Sequence, residues 1–188
     1  MSEHLWTWLA ARRNHPPRRL LAPGPDAAAL DRIFEAAAQA PDHGQLRPWR
    51  FVLVPEGRRA DLGAVFERAL AERDPGSDEG ARTRAREKAF HAPCLMVAVL
   101  DDAPKGPVPT AEKLVSLGCA VQNMLTAAQA LGYASGLASG AAMDSAGMRA
   151  LLRLAPQEQA ICFIAFGTSS APRPPRERPR PEEFVSVL

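Results

Sequence analysis

No stretch of the sequence approaches the roughly 20 consecutive apolar residues that would span a bilayer. The N-terminus, with Glu3 and His4, has no hydrophobic core of signal-peptide type, so the expected compartment is the cytosol. Cysteine is scarce as well. Cys94, Cys119 and Cys162 are far apart and each lies among apolar residues, which gives neither a disulfide framework nor a zinc signature and points to three buried thiols without a metal. Charge of one sign is not in excess: 23 basic residues face 21 acidic ones, for a net charge of +2. The tail arginines Arg173, Arg176, Arg178 and Arg180 are interrupted by Glu177 and followed by Glu182 and Glu183, which argues against a nucleic-acid partner. No internal repeat is visible. What remains is a chain of 188 residues, 46% hydrophobic, that suits one domain with a real core.

The run from Ala36 to Val54, AAAQAPDHGQLRPWRFVLV, organises the rest. Pro41 stops an alanine-rich helix at Ala40, Asp42 to Arg47 fill a polar loop with Gly44 free to take positive φ, and Trp49 to Val54 reads as a strand. Upstream, Leu5, Trp8 and Leu9 at helical spacing predict a first helix running into Arg12-Arg13, and Asn14-His15-Pro16-Pro17 must be extended or turning. Asp26 is the expected N-cap of a second helix with Leu30, Ile33, Phe34 and Ala37 on its apolar face. Further helices are expected from Arg58 to Glu72 and from Gly80 to Phe90, and a strand covered on both faces from Ala92 to Leu100. After a loop from Asp101 to Pro109, Thr110 to Leu131 is apolar on nearly every face, so it is buried in the core or against a second subunit. Ala134 to Ala142 is a small-residue segment against which a flat ligand could lie. Asp144 or Ser145 caps a short helix, and Gln159 to Gly167 is another buried strand. Helices alternating with short strands around a mixed sheet predict an α+β or α/β fold, spanning residues 1–168, with a proline-rich arm over 169–188.

Arg12-Arg13, the APDHGQLRPW run from Ala40 to Trp49, Gly118 to Asn123 in the long helix, Leu137 to Ala141 and Phe166-Gly167-Thr168 together resemble the FMN-dependent nitroreductase superfamily, and within it the short YdjA-like NAD(P)H nitroreductases. The resemblance implies a homodimer of α+β subunits with the long helix at the interface, C-terminal arms over the partner, and FMN in clefts built from both chains. By position, Arg12, Arg13 and Asn14 match a motif that holds the FMN phosphate and ribityl chain. Gln39 and His43 match flavin-contacting positions, His43 from the other chain. Leu137, Ala138 and Ser139 match a segment against the flavin, and Ala127, Ala128, Gln129, Ala130, Leu131 and Gly132 match a nicotinamide-binding stretch. The implied chemistry belongs to the flavin, so no protein acid or base is assigned as catalytic.

Three departures stand out. Ala138 and Gln39 each replace an arginine of the close relatives, and Arg47 brings a charge where glutamine is usual. The expected activity is hydride transfer from NAD(P)H through FMN to a nitroaromatic, quinone or similar acceptor by a ping-pong mechanism. The lost arginines keep two alternatives open: a weakly flavin-binding carrier or interaction protein, and a flavin enzyme of another reaction type such as reductive dehalogenation.

Overall fold

The computed structural model describes residues 2–103, 107–169, 171, 174 and 177–188, with backbone only for residues 2–5. Its elements run α1 (Ser2–Ala11), β1 (Leu20–Leu21), α2 (Ala27–Ala37), β2 (Trp49–Leu53), α3 (Arg59–Arg73), α4 (Glu79–Glu87), β3 (Cys94–Asp101), α5 (Thr110–Ala130), β4 (Ala134–Ala138), α6 (Ala146–Leu151) and β5 (Glu158–Ser169). The caps foreseen at Asp26 and Ser145 are made: Asp26 Oδ1 accepts from the Ala29 amide at 2.8 Å, and Ser145 Oγ accepts from Met148 at 3.1 Å.

The strand order is β1-β5-β3-β2, with β4 also on β5, and every ladder between named strands is antiparallel. The parallel part of the expected mixed sheet is a single bridge, Asn14 to Ser135. Alternation along β3 divides the core. Leu95, Val97 and Val99 face a layer with Leu62 and Val65 of α3, Met148 of α6 and Leu152 just after it, whereas Met96, Ala98 and Leu100 face Ile33, Leu117, Val121 and Met124 from α2 and α5. A strand buried on both faces must be apolar throughout, which is why CLMVAVL carries no charge before Asp101. The register shifts between Ala98 and Val99, where β5 carries one extra residue.

Three local expectations are corrected. The small-residue segment is a true strand over Ala134–Ala138, and a two-residue strand, Leu20–Leu21, pairs with the end of β5. The loop before β2 takes positive φ at Gly44, Gln45 and Arg47, not at the glycine alone. Asp42 Oδ2, accepting from the Arg47 amide at 2.7 Å, closes that loop on itself and holds Arg47 in its left-handed conformation. Arg173 and Arg176 of the arm, and residues 104–106 of the loop before α5, lie outside the described residues.

At the far edge of the sheet Arg50 donates to both oxygens of Glu158, at 2.6 and 2.8 Å, and the Ala155 amide adds a third bond. The Arg50 hydrogen bond holds the Glu158 carboxyl below its usual range against the opposing cost of burial. A depressed carboxylate pKa stabilises the fold at pH values above the unfolded value and loses that contribution as pH falls through the folded value. Glu158→Gln is therefore expected to cost about 1–3 kcal/mol at neutral pH and to flatten the loss of stability on acidification, measured by denaturant titration at each pH.

Candidate functional site

Two separate stretches meet at β4. The His15 amide donates to Ser135 O at 2.9 Å, and the Leu137 amide donates to Asn14 Oδ1 at 2.7 Å. The chain leaving α1 is thus sewn along the edge of β4. Gly136 makes the approach possible, since a Cβ there would stand 1.9 Å from His15 O. Gly136→Ala is expected to part the two segments at a cost of about 3 kcal/mol, the upper end for overpacking, visible as a lowered melting temperature and weaker ligand binding.

Upstream of that seam lies a concentration of positive charge. Arg13 Nη1 donates to Ala10 O at 2.5 Å and to Arg12 O at 3.0 Å, closing the C-terminus of α1. Its Nε is buried with no hydrogen-bond partner among the described residues. Arg12 is pushed below the usual arginine pKa, first by burial and then by the charges of Arg178 and Arg13. A buried donor without an acceptor and a cluster of arginines with no ion pair among the described residues both cost stability unless an anion binds there.

Downstream, the chain lines a cleft of about 660 Å³ with Pro16, Pro17 and Arg18 on one side and Ala138 to Ala142 on another. Phe66, Leu70 and Phe163 supply apolar lining, and Arg73, Arg84 and Lys88 reach it from α3, α4 and the turn that follows. Together the pole of arginines, the backbone edge at Leu137–Ser139 and the cleft suit a flat molecule carrying a phosphate.

The expected site residues fall in three places. Arg12, Arg13 and Asn14 come together with Leu137, Ala138 and Ser139. Gln39 lies instead in a groove of about 340 Å³ between α2 and the end of α5, with Ala127, Ala130 and Leu131. Within the same stretch, Ala128 is wholly buried, Gln129 donates to Trp8 O at 2.7 Å, and Gly132 turns the chain at φ 87°. His43 pairs through Nδ1 with Glu112 Oε2 at 2.6 Å, in the first turn of α5. Leu137 lies in β4, which follows the C-terminal end of that 21-residue helix, whereas His43 is tied to its first turn.

The cationic lining was missed at the level of sequence. Arg84 and Lys88 stand four residues apart, the spacing that puts two side chains on one helical face, and that was the available signal. Arg178 was visible only as part of the arm; its approach to Arg12 is a tertiary fact.

Residues 9–168 match the sequence profile of the Nitroreductase family. The chain belongs to the nitroreductase family. It is 32% identical over 163 residues to a candidate NAD(P)H nitroreductase of Haemophilus influenzae, covering 86% of each chain. It is 34% identical over 151 residues to the candidate NAD(P)H nitroreductase YdjA of Escherichia coli K12, covering 80% of this chain and 81% of YdjA. Among solved structures, a nitroreductase-like protein from Bacillus cereus aligns over 98% of this chain and 95% of its own with a TM-score of 0.84 at 16% identity. A nitroreductase with bound FMN from Desulfitobacterium hafniense aligns over 100% and 99% with a TM-score of 0.71 at 24% identity. These likenesses establish the nitroreductase-like α+β fold, an antiparallel sheet flanked by helices.

Proposed function

We propose that this nitroreductase-family chain is an FMN-dependent oxidoreductase that takes a hydride from NAD(P)H and delivers it to a nitroaromatic, quinone or similar acceptor, working as a homodimer. The observation that carries this reading is the unsatisfied Arg13 Nε beside Arg12, sewn through Asn14 to the backbone edge of β4. Arg12 and Arg13, with Arg178 from the arm, would hold the phosphate by charge-assisted hydrogen bonds. The Leu137–Ser139 backbone and the small side chains after it leave a ring room to lie against the strand. Phe66, Leu70 and Phe163 keep water from that face. When bound, FMN supplies the two-electron chemistry at its N5 position. No side chain has to move a proton to the ring, and His91 in the cleft wall is held towards its neutral form by burial and by Arg18.

The dimer is proposed from what a single chain leaves uncovered. Along α5, Leu114, Val115, Gly118 and Cys119 form an apolar stripe open to solvent or nearly so, and Trp6, Trp8 and Leu9 of α1 are exposed as well. Contiguous apolar surface of this kind marks an interface. In such a dimer His43 of one chain can reach the site of the other, and the arm, with Phe184, Val185 and Leu188 exposed, can lie over the partner. No described helix is long and apolar enough to cross a membrane.

Purified protein given FMN is expected to take up one flavin per chain with quenching of flavin fluorescence, and to lose its yellow colour on anaerobic addition of NADH or NADPH. Parallel double-reciprocal lines are expected when acceptor is varied against nicotinamide. Protein that stays colourless would favour the carrier reading.

A further inference from the structure

The loop that carries His43 is fastened to a single face of α5. Trp49 Nε1, where that loop enters β2, donates to Ser116 Oγ at 3.0 Å, and His43 pairs through Nδ1 with Glu112 Oε2 at 2.6 Å. Glu112 and Ser116 are four residues apart, about one helical turn, so the two bonds lie one above the other. Each anchor is itself held from behind. On the loop side, Asp42 Oδ2 accepts from the Arg47 amide at 2.7 Å across the positive φ of Gly44, Gln45 and Arg47. On the helix side, Asp102 accepts from Thr110 Oγ1 at 2.7 Å and from Lys113 Nζ at 2.8 Å, which ties the first turn of α5 to the end of β3.

Stability does not account for the contact between Glu112 and His43. The side chains are 49% and 65% exposed, and a pair in that much water contributes little. What the contact fixes is the ring. An ionised carboxylate can only accept, so Nδ1 carries the hydrogen, and Nε2, with no hydrogen bond among the described residues, is the polar edge left for a ligand. The same face of α5 continues into Val115 and Cys119, three and seven residues on from Glu112, and these belong to the apolar stripe on which a second chain is proposed to pack. His43 therefore stands at the rim of that interface. Resting on the flavin-dimer reading above, we propose that Glu112 is a positioning residue, which sets the imidazole of His43 so that Nε2 meets the flavin bound by the partner chain. It fixes where a polar edge meets the ring, and no proton or electron passes through it.

The test is a double-mutant cycle on the FMN-loaded protein with Glu112→Ala, His43→Ala and the two together. FMN affinity is read by fluorescence quenching, and the midpoint potential of the bound flavin by anaerobic titration against reference dyes. Each single variant is expected to keep the dimer mass and the melting temperature, to weaken FMN binding about two- to tenfold, the range for one hydrogen bond, and to shift the potential in the same direction. The double variant should lose no more than His43→Ala alone, because Glu112 acts through the imidazole. Glu112→Gln, whose amide oxygen still accepts from Nδ1, should recover most of the affinity. Additive losses in the double variant would overturn the proposal. So would a Glu112→Ala dimer that keeps the affinity and potential of the original protein, whether or not it melts lower, since the tie would then be structural only. Original protein that takes up no FMN would instead remove the flavin reading and the proposal with it, so the two failures are distinguishable.

Discussion

Gly118→Arg is expected to convert the protein from a dimer to single chains and to weaken FMN binding by at least about a hundredfold. Within one chain the position is open, with nothing within 4 Å of a Cβ placed there. Arginine is also the better helix former, by somewhat less than the roughly 0.8–1 kcal/mol that separates alanine from glycine in a helix interior. Inside one chain the substitution should therefore be harmless or mildly stabilising, and circular dichroism should report the original helix content. Its damage is confined to whatever packs on the Leu114–Val115–Gly118 face. If a second copy sits there, a long charged side chain displaces it, and with it the half of each site that carries His43. Size-exclusion with light scattering reads the first effect and FMN fluorescence quenching the second. A Gly118→Arg dimer with unchanged flavin affinity would place the interface elsewhere.

The second large effect is expected at Arg12. Its guanidinium is partly desolvated and lies near two other arginines, so its charge is a liability in the absence of ligand. Arg12→Met should leave the flavin-free protein with an unchanged or higher melting temperature. The same change should weaken FMN binding about tenfold to a hundredfold, the usual worth of a charge-assisted hydrogen bond. That opposition distinguishes a binding residue from a helix-capping one. A residue whose only task was to offset the dipole of α1 would lower the melting temperature on removal and leave flavin affinity alone.

Much of this was readable from residues alone, and for a physical reason in each case. β3 announced itself because a strand covered on both faces has to be apolar at every position, and Asp26 because a side-chain oxygen before an apolar-periodic run caps a helix. α5 posed a real ambiguity: being apolar all round, it fits a core or an interface. The structure divides it, with Leu117, Val121 and Met124 buried inside and Leu114 and Val115 left outside. The residues from Ala134 to Ala138 resisted reading as a strand because ASGLA lacks β-branched and aromatic residues, and it pairs only because β5 offers an edge and Gly136 admits His15. The cations around Ala138 were not legible either. Arg18, Arg84 and Lys88 line the same cleft as Ala138, and no local pattern connects them to that strand.

Enclosure of one flavin apiece by two chains is the arrangement proposed. It is tested most directly by measuring the mass of the flavin-loaded particle and its flavin content in one experiment, by sedimentation followed at both protein and flavin absorbance. A species of twice the single-chain mass with two flavins is the result expected. A yellow species of single-chain mass that binds FMN as tightly, or a dimer that sediments without any flavin, would contradict it.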